Sequence, residues 1–301
     1  MGENLTTIRD FIRWGISRFN ESQLVYGHGT DNALDEAMAL VLHVLHLPHD
    51  IPATFLESHL TLAEQERVQE ILHRRILDRK PAAYLTGKAR FAGLEFFVNE
   101  QVLVPRSPIA ELIEQGFAPW VDGERVTAIL DLCSGSGCIG IACAYAFPEA
   151  RVDLVELSPT AMEVAQRNLE NHHLQERAEV IQSDLFGNVK GRHYDIIVSN
   201  PPYVNHDELA DLPREYRWEP QLGLDGGSDG LDLVEQILCQ ADRYLTPDGI
   251  LVMEVGNSET ALIERYPNVP FVWLDFEHGG HGVFLLTKSQ LGHFHCQFER
   301  G

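Results

Sequence analysis

The chain has 301 residues, 44% of them hydrophobic and 23% charged, with a net charge of -22 and five cysteines. That apolar content supports one large domain plus a smaller one, and no apolar run approaches the ~20 residues of a membrane helix. Residues 1–80 carry 12 acidic and 8 basic side chains, which leaves -18 for the remainder; such a surface repels phosphate backbones and suits a basic protein partner or plain solubility.

In chain order, the start (MGENLTTIRDFIRW) has no basic segment leading into an apolar one, so no secretory leader is expected. Ile8, Phe11, Ile12, Ile16 and Phe19 recur at helical spacing. A second helix is expected from about Asn32 to Leu47, closed by Pro48. A third starts at Thr61, which forms a capping box with Glu64, and runs to about Arg79 ahead of Pro81. Residues 1–80 thus read as a small helical domain. Residues 81–105 change character: short apolar and aromatic runs broken by Gly87, Gly93 and Asn99 read as a linking β-hairpin.

From residue 106 to 301 strands and helices alternate. Strands are expected near 128–132, 151–157, 178–182, 194–199, 249–255, 270–276 and 282–287, and helices near 137–147, 159–171 and 231–245. The alternation implies an α/β domain with a parallel sheet covered by helices on both faces. The last two strands turn through Gly279 and Gly280 and read as an antiparallel hairpin. The cysteines show no CxxC pair, as in free thiols of a reducing cytoplasm. His43, His46 and His49 lack an acidic residue spaced to complete a metal site, and read as ordinary histidines.

Four motifs fall at the ends of successive strands. "ILDLCSGSGCIG" places Asp131 at a strand end, then Cys133, Ser134, Gly135, Ser136 and Gly137, then a helix. Small residues before a helix N-terminus admit a nucleotide-like ligand, or serve only as a packing turn. Glu156 ends the next strand, where a carboxylate can take a ribose's hydroxyls. Asp184, with Leu185 and Phe186 beside it, ends the third; the carboxylate can accept from an adenine amine while the apolar neighbours cover the ring. The fourth strand ends in Asn200-Pro201-Pro202-Tyr203. A turn explains one proline. It does not explain a carboxamide and two prolines on the edge where the other motifs converge.

Together these residues resemble the class I S-adenosylmethionine-dependent methyltransferases, whose Rossmann-like sheet has seven strands with an antiparallel last strand. The tetrapeptide is shared by enzymes that methylate planar nitrogens: adenine or cytosine amines, and glutamine amides. "PAAYLTGKARFAGLEFFVNEQVLVPRSPIAELIE", "EYRWEPQLGLDGGSDGLDL" and "LVMEVGNS" are similar to the protein-glutamine methyltransferases of release factors and ribosomal proteins. "VLVPRSPI", "LPREYRWEPQLGL" and "FEHGGHGVFLLTK" look closest to the branch acting on large-subunit ribosomal protein three. The resemblance spans nearly the whole chain and departs at Cys133, where many members have glycine; a small thiol should still fit.

The resemblance implies S-adenosylmethionine held by Asp131, the 133–137 loop, Glu156, Asp184, Leu185 and Asn200. It implies catalysis by Asn200, Pro201, Pro202 and Tyr203. An amide nitrogen is a poor nucleophile that becomes positive as it is methylated. The Asn200 oxygen and the Pro201 carbonyl can accept its two N–H groups more strongly as that charge grows. The prolines fix φ and hold the acceptors rigid, and Tyr203 can pack on the amide plane. A release-factor enzyme shares these features. A DNA adenine methyltransferase shares the tetrapeptide and would flip a base into the pocket, but needs a basic face. A cofactor-binding module without catalysis would need no Asn200. Arg106, in "VPRSP", reads as a substrate or loop holder or as half of a structural ion pair.

Overall fold

Thr7, Asn32 and Thr61 each end an extended segment and start a helix in the computed structural model, which describes residues 5–298. The helices are α1 (Ile8–Glu21), α2 (Ala33–Val44) and α3 (Leu62–Asp78). The expected capping box is present: Thr61 N donates to Glu64 Oε2 at 2.8 Å, and Glu64 N to Thr61 Oγ1 at 3.4 Å. α2 stops short of Leu47. His46 turns left-handed at φ 55°, and Leu47 N bonds Leu42 O, a Schellman-type closure set before Pro48 acts. α4 (Ala82–Thr86) follows, then β1 (Lys88–Phe91) and β2 (Leu94–Phe97), a two-stranded sheet.

The chain divides into two units, Met1–Ala89 with Pro213–Trp218, and Arg90–Leu212 with Glu219–Gly301. In the first, Phe11, Phe19, Leu40, Val41, Val68 and Leu72 are fully buried between the helices. Arg75 is also buried, with its Nε 3.1 Å from Glu36 Oε1 and its Nη2 donating to Val25 O. Glu215, from the short segment that joins this unit, accepts from Arg79 Nη1 at 3.0 Å and Val25 N at 3.1 Å.

The second unit continues through α5 (Ile109–Glu114), β3 (Ala128–Leu132), α6 (Cys138–Ala146), β4 (Arg151–Glu156), α7 (Pro159–Asn171), β5 (Ala178–Gln182), β6 (Tyr194–Ser199), α8 (His206–Asp211) and α9 (Asp232–Leu238). It ends with β7 (Leu245–Glu254), α10 (Glu259–Arg265), β8 (Val272–Trp273), β9 (Val283–Thr287) and α11 (Lys288–Phe298). The strands form one seven-stranded sheet ordered β5-β4-β3-β6-β7-β9-β8. β9 alone runs against its neighbours, and sits between β7 and β8.

The apolar runs of the central strands follow from burial on both faces. Ile129, Val152, Leu154, Ile196, Val198, Ile250 and Val252 pack with α5 and α6 on one side. Leu130, Leu132, Val155, Ile197, Leu251 and Met253 pack with α9, α10 and α11 on the other. Three expectations are corrected. β7 begins at Leu245, which pairs with Tyr194, bulges through Pro247 and resumes at Ile250, so the helix expected over 231–245 ends at Leu238. β8 is two residues long instead of spanning 270–276. α11 was not expected, although its signal is Thr287 with Gln290 three residues on: Thr287 N donates to Gln290 Oε1 at 2.8 Å, and Gln290 N to Thr287 Oγ1.

Candidate active site

Parallel register brings the four motifs to one edge. Leu132 pairs with Val155 and with Ser199, Glu156 with Gln182, and Ser199 with Met253. The residues just beyond these strand ends, Cys133, Asp184 and Asn200, therefore lie on the same side of the sheet as Glu156 and Glu254. This is the crevice where open α/β sheets bind ligands.

Asp131 lies beneath the small-residue loop, 1% exposed, and its Oδ2 accepts from Gly140 N at 2.8 Å. That bond ties the first turn of α6 to β3. Burial pushes the Asp131 carboxyl up to about 8, against the lowering effect of the Gly140 N–H. Cys133 sits at φ 60°. A side chain there costs roughly 1–2 kcal/mol, a cost glycine avoids. Burial first, then the Glu156 and Asp131 carboxylates, raise the thiol's pKa, so it stays protonated. Gly137 opens α6 at φ 78°, and a Cβ there would lie 2.7 Å from Leu154 Cδ2. Helix and sheet can approach this closely only at glycine.

Glu156 is half-buried and braces the loop's other side: its Oε2 accepts from Gly135 N at 2.8 Å, and its Oε1 from Ser158 N at 2.9 Å. Each carboxylate oxygen keeps a further lone pair. Ser134 N extends the ladder to Val155 O, while its buried Oγ has no hydrogen-bond partner; neither has Asp131 Oδ1. A Cβ on Gly135 would meet nothing within 4 Å. Orphaned polar atoms, open space over the glycine and a carboxylate with spare acceptor capacity fit a nucleoside-type ligand. Asn168 was missed by sequence reasoning. Fully buried on α7, it donates from Nδ2 to Ser136 O and Phe97 O, both at 2.9 Å, and so steadies the loop. Nothing in its spacing on an amphipathic helix marks it out.

Asp184 is exposed at the end of its strand, and Leu185 is 7% exposed with φ 43°. The expectation for Phe186 as ring cover is corrected: it is 1% exposed and stacks on Tyr244 in the core, with centroids 4.4 Å apart. Arg106 forms the ion pair: it grips Glu219 with two bonds of 2.5 and 2.7 Å, and Glu219 Oε1 also takes Val104 N.

Asn200 is half-buried, with Pro201 and Pro202 buried behind it. Ser199 Oγ donates to Leu132 O at 2.9 Å, tying β6 to β3 just before the tetrapeptide. Val204 N donates to Leu224 O and Gly226 N to Val204 O, which clamps the far end. A Cβ on Gly226 would lie 2.7 Å from Tyr203 Cα, and one on Gly256 would lie 2.5 Å from Tyr203 Cε2. Tyr203 Oη donates to Glu254 Oε1 at 2.7 Å. Sequence reasoning gave no role to Glu254; its only signal is an acidic residue ending an apolar strand.

The sheet order, the antiparallel β9 and the motifs along one edge define a class I methyltransferase. Residues 117–212 match the family described as Methyltransferase small domain, and residues 10–87 match the PrmC N-terminal domain. The chain is 47% identical to the ribosomal protein uL3 glutamine methyltransferase of Francisella tularensis, over 99% of this chain and 95% of that one. It is 52% identical to the protein of the same name from Xanthomonas campestris, over 96% and 94%. The chain belongs to this family of protein-glutamine methyltransferases. Among solved structures, the catalytic domain of hMettl16 in complex with the MAT2A 3'UTR hairpin 6 shares the fold, with a TM-score of 0.51 at 16% identity over 79% of this chain and 86% of that one.

Proposed function

We propose that this enzyme transfers a methyl group from S-adenosylmethionine to the side-chain amide nitrogen of a glutamine in ribosomal protein uL3. The observation that carries the reading is the rigid Asn200–Tyr203 segment at the edge shared with Glu156 and the 133–137 loop, in a chain about half identical to two uL3 glutamine methyltransferases.

Asp131 supports the cofactor site from below, through the backbone of α6. Glu156 holds the ribose hydroxyls while its bonds to Gly135 and Ser158 keep the loop in place. Asp184 and Leu185 border the adenine, and the loop backbone at 133–137 approaches the ligand closely. When bound, S-adenosylmethionine supplies an electrophilic methyl on a sulfonium. The Asn200 side-chain oxygen and the Pro201 carbonyl accept the two N–H groups of the glutamine amide. Their attraction grows as the nitrogen gains positive charge, so they favour the transition state over the ground state. Tyr203 packs on the amide plane. Fixed φ at Pro201 and Pro202 removes the reorganisation that a flexible loop would need.

The helical unit with its inserted Pro213–Trp218 segment serves recognition of the protein substrate. uL3 would be met where it is made, in the cytoplasm. Among the described residues no helix is long and apolar enough to cross a membrane. Release factor is the competing substrate, since it presents the same amide. A labelled-methyl assay offering unmodified uL3, release factor and DNA in parallel tests the reading. Label is expected in uL3; label in release factor alone, or in DNA, would overturn it.

A further inference from the structure

Tyr203 is fixed by a chain of three side chains reaching across the sheet edge. Ser107 Oγ donates to Glu254 Oε2 at 2.5 Å, and Tyr203 Oη donates to Glu254 Oε1 at 2.7 Å. Ile109 N donates to Ser107 Oγ at 3.2 Å, which occupies a serine lone pair and leaves its proton for the carboxylate. Glu254 is 6% exposed and Ser107 7%. Both carboxylate oxygens are therefore committed to hydroxyl donors in a site nearly closed to solvent.

The rest of Tyr203 is equally confined. Ser258 Oγ donates to its carbonyl at 2.8 Å, Gly226 backs its Cα, and Gly256 faces its ring. Burying a carboxylate is costly, and a strand end can be closed by apolar packing at lower cost. Glu254 is the next residue after Met253, which pairs with Ser199, so it stands beside Asn200 in register. A carboxylate retained here, bonded to the tetrapeptide on one side and to the 107–109 turn on the other, acts on the geometry of that loop.

We propose that Glu254, oriented by Ser107, is a positioning residue that fixes Tyr203 and through it the acceptor pair of Asn200 and Pro201. The proposal rests on the reading of Asn200–Tyr203 as the amide clamp. Glu254 touches neither substrate nor cofactor in this role. It sets how far the loop strays from its working geometry, and errors near 1 Å cost on the order of 100-fold in rate.

The test uses the full chain with unmodified uL3, comparing E254A, E254Q, S107A, Y203F and the Y203F/E254A double variant. E254A is expected to lower kcat about 10–100-fold with KM and cofactor affinity little changed. E254Q keeps an acceptor for the phenol and should restore most of kcat. The double variant should be no slower than E254A, because both changes break one contact. Wild-type kcat in E254A, or additive losses in the double variant, would overturn the proposal. Hydrogen exchange at the Val204 and Gly226 amides gives a readout independent of the reaction. Protection should fall in E254A and S107A and persist in E254Q; unchanged protection in all three overturns the positioning role even if no methyl transfer is seen. Should E254A not fold, S107A and E254Q carry the comparison. Wild-type enzyme that leaves uL3 unlabelled would instead count against the proposed substrate.

Discussion

Asn200 and Glu156 face different partners in the proposed mechanism, so their variants should fail differently. Asn200→Ala should retain the fold and, with Glu156, Asp184 and the 133–137 loop still in place, most of the cofactor affinity, while turnover drops about 100-fold or more, the scale of one lost preorganised contact. More than half the wild-type turnover would contradict the amide clamp. Glu156→Ala should weaken S-adenosylmethionine binding by roughly 1.5–3 kcal/mol, since bonds to a charged acceptor are lost; calorimetry with unchanged affinity would place the ribose elsewhere. Asp131, Glu156 and Asn200 were legible because each is a polar residue ending an apolar run, and parallel pairing brings such ends to one edge. Asn168 and Ser107 act through bonds to partners 32 to 147 residues away, which no local spacing encodes. Phe186 was misjudged because an aromatic next to a site reads the same in sequence whether it faces ligand or core.

At the scale of elements, caps were the most readable feature. Thr61 with Glu64 starts α3 where expected, and α7 begins at Pro159, the expected position, behind a Ser158 cap, because capping is a contact within four residues. The ends of α2 and α9 were less readable, since a left-handed His46 and the bulge at Pro247 depend on what the chain packs against next. Arg75 belongs to this scale as well. Its charge is shared by Glu36 and by Glu215, at 3.1 and 3.8 Å, with all three side chains 1% exposed. Burial raises the Glu36 carboxyl above its ordinary value, with Arg75 opposing that shift. Arg75→Met would leave the buried Glu36 carboxylate without its cation, while Glu215 keeps Arg79 at 3.0 Å. It should cost about 3–5 kcal/mol of stability, read by denaturant unfolding. A loss below 1 kcal/mol would mean that water reaches the cluster.

At the scale of the whole molecule, the charge is the main feature outside the site. Ribosomal proteins carry basic segments that neutralise RNA, and the -18 beyond residue 80 would attract such a protein while it is free. Once it is assembled, RNA phosphates repel the same surface. Methylation is therefore expected on free uL3 or an early assembly intermediate, with little on mature subunits; equal labelling of both would refute this. The association rate should fall with added salt, because steering is screened over about 8–10 Å at physiological ionic strength, and a flat profile would reduce the acidity to solubility. The most direct test of the central claim is to locate the methyl group. Unmodified uL3 is incubated with the enzyme and S-adenosylmethionine, digested, and its peptides fragmented in a mass spectrometer. A single methyl on one glutamine side-chain amide, lost when that glutamine is replaced, is the predicted result; a methyl on a lysine, an arginine or the N-terminus would contradict it.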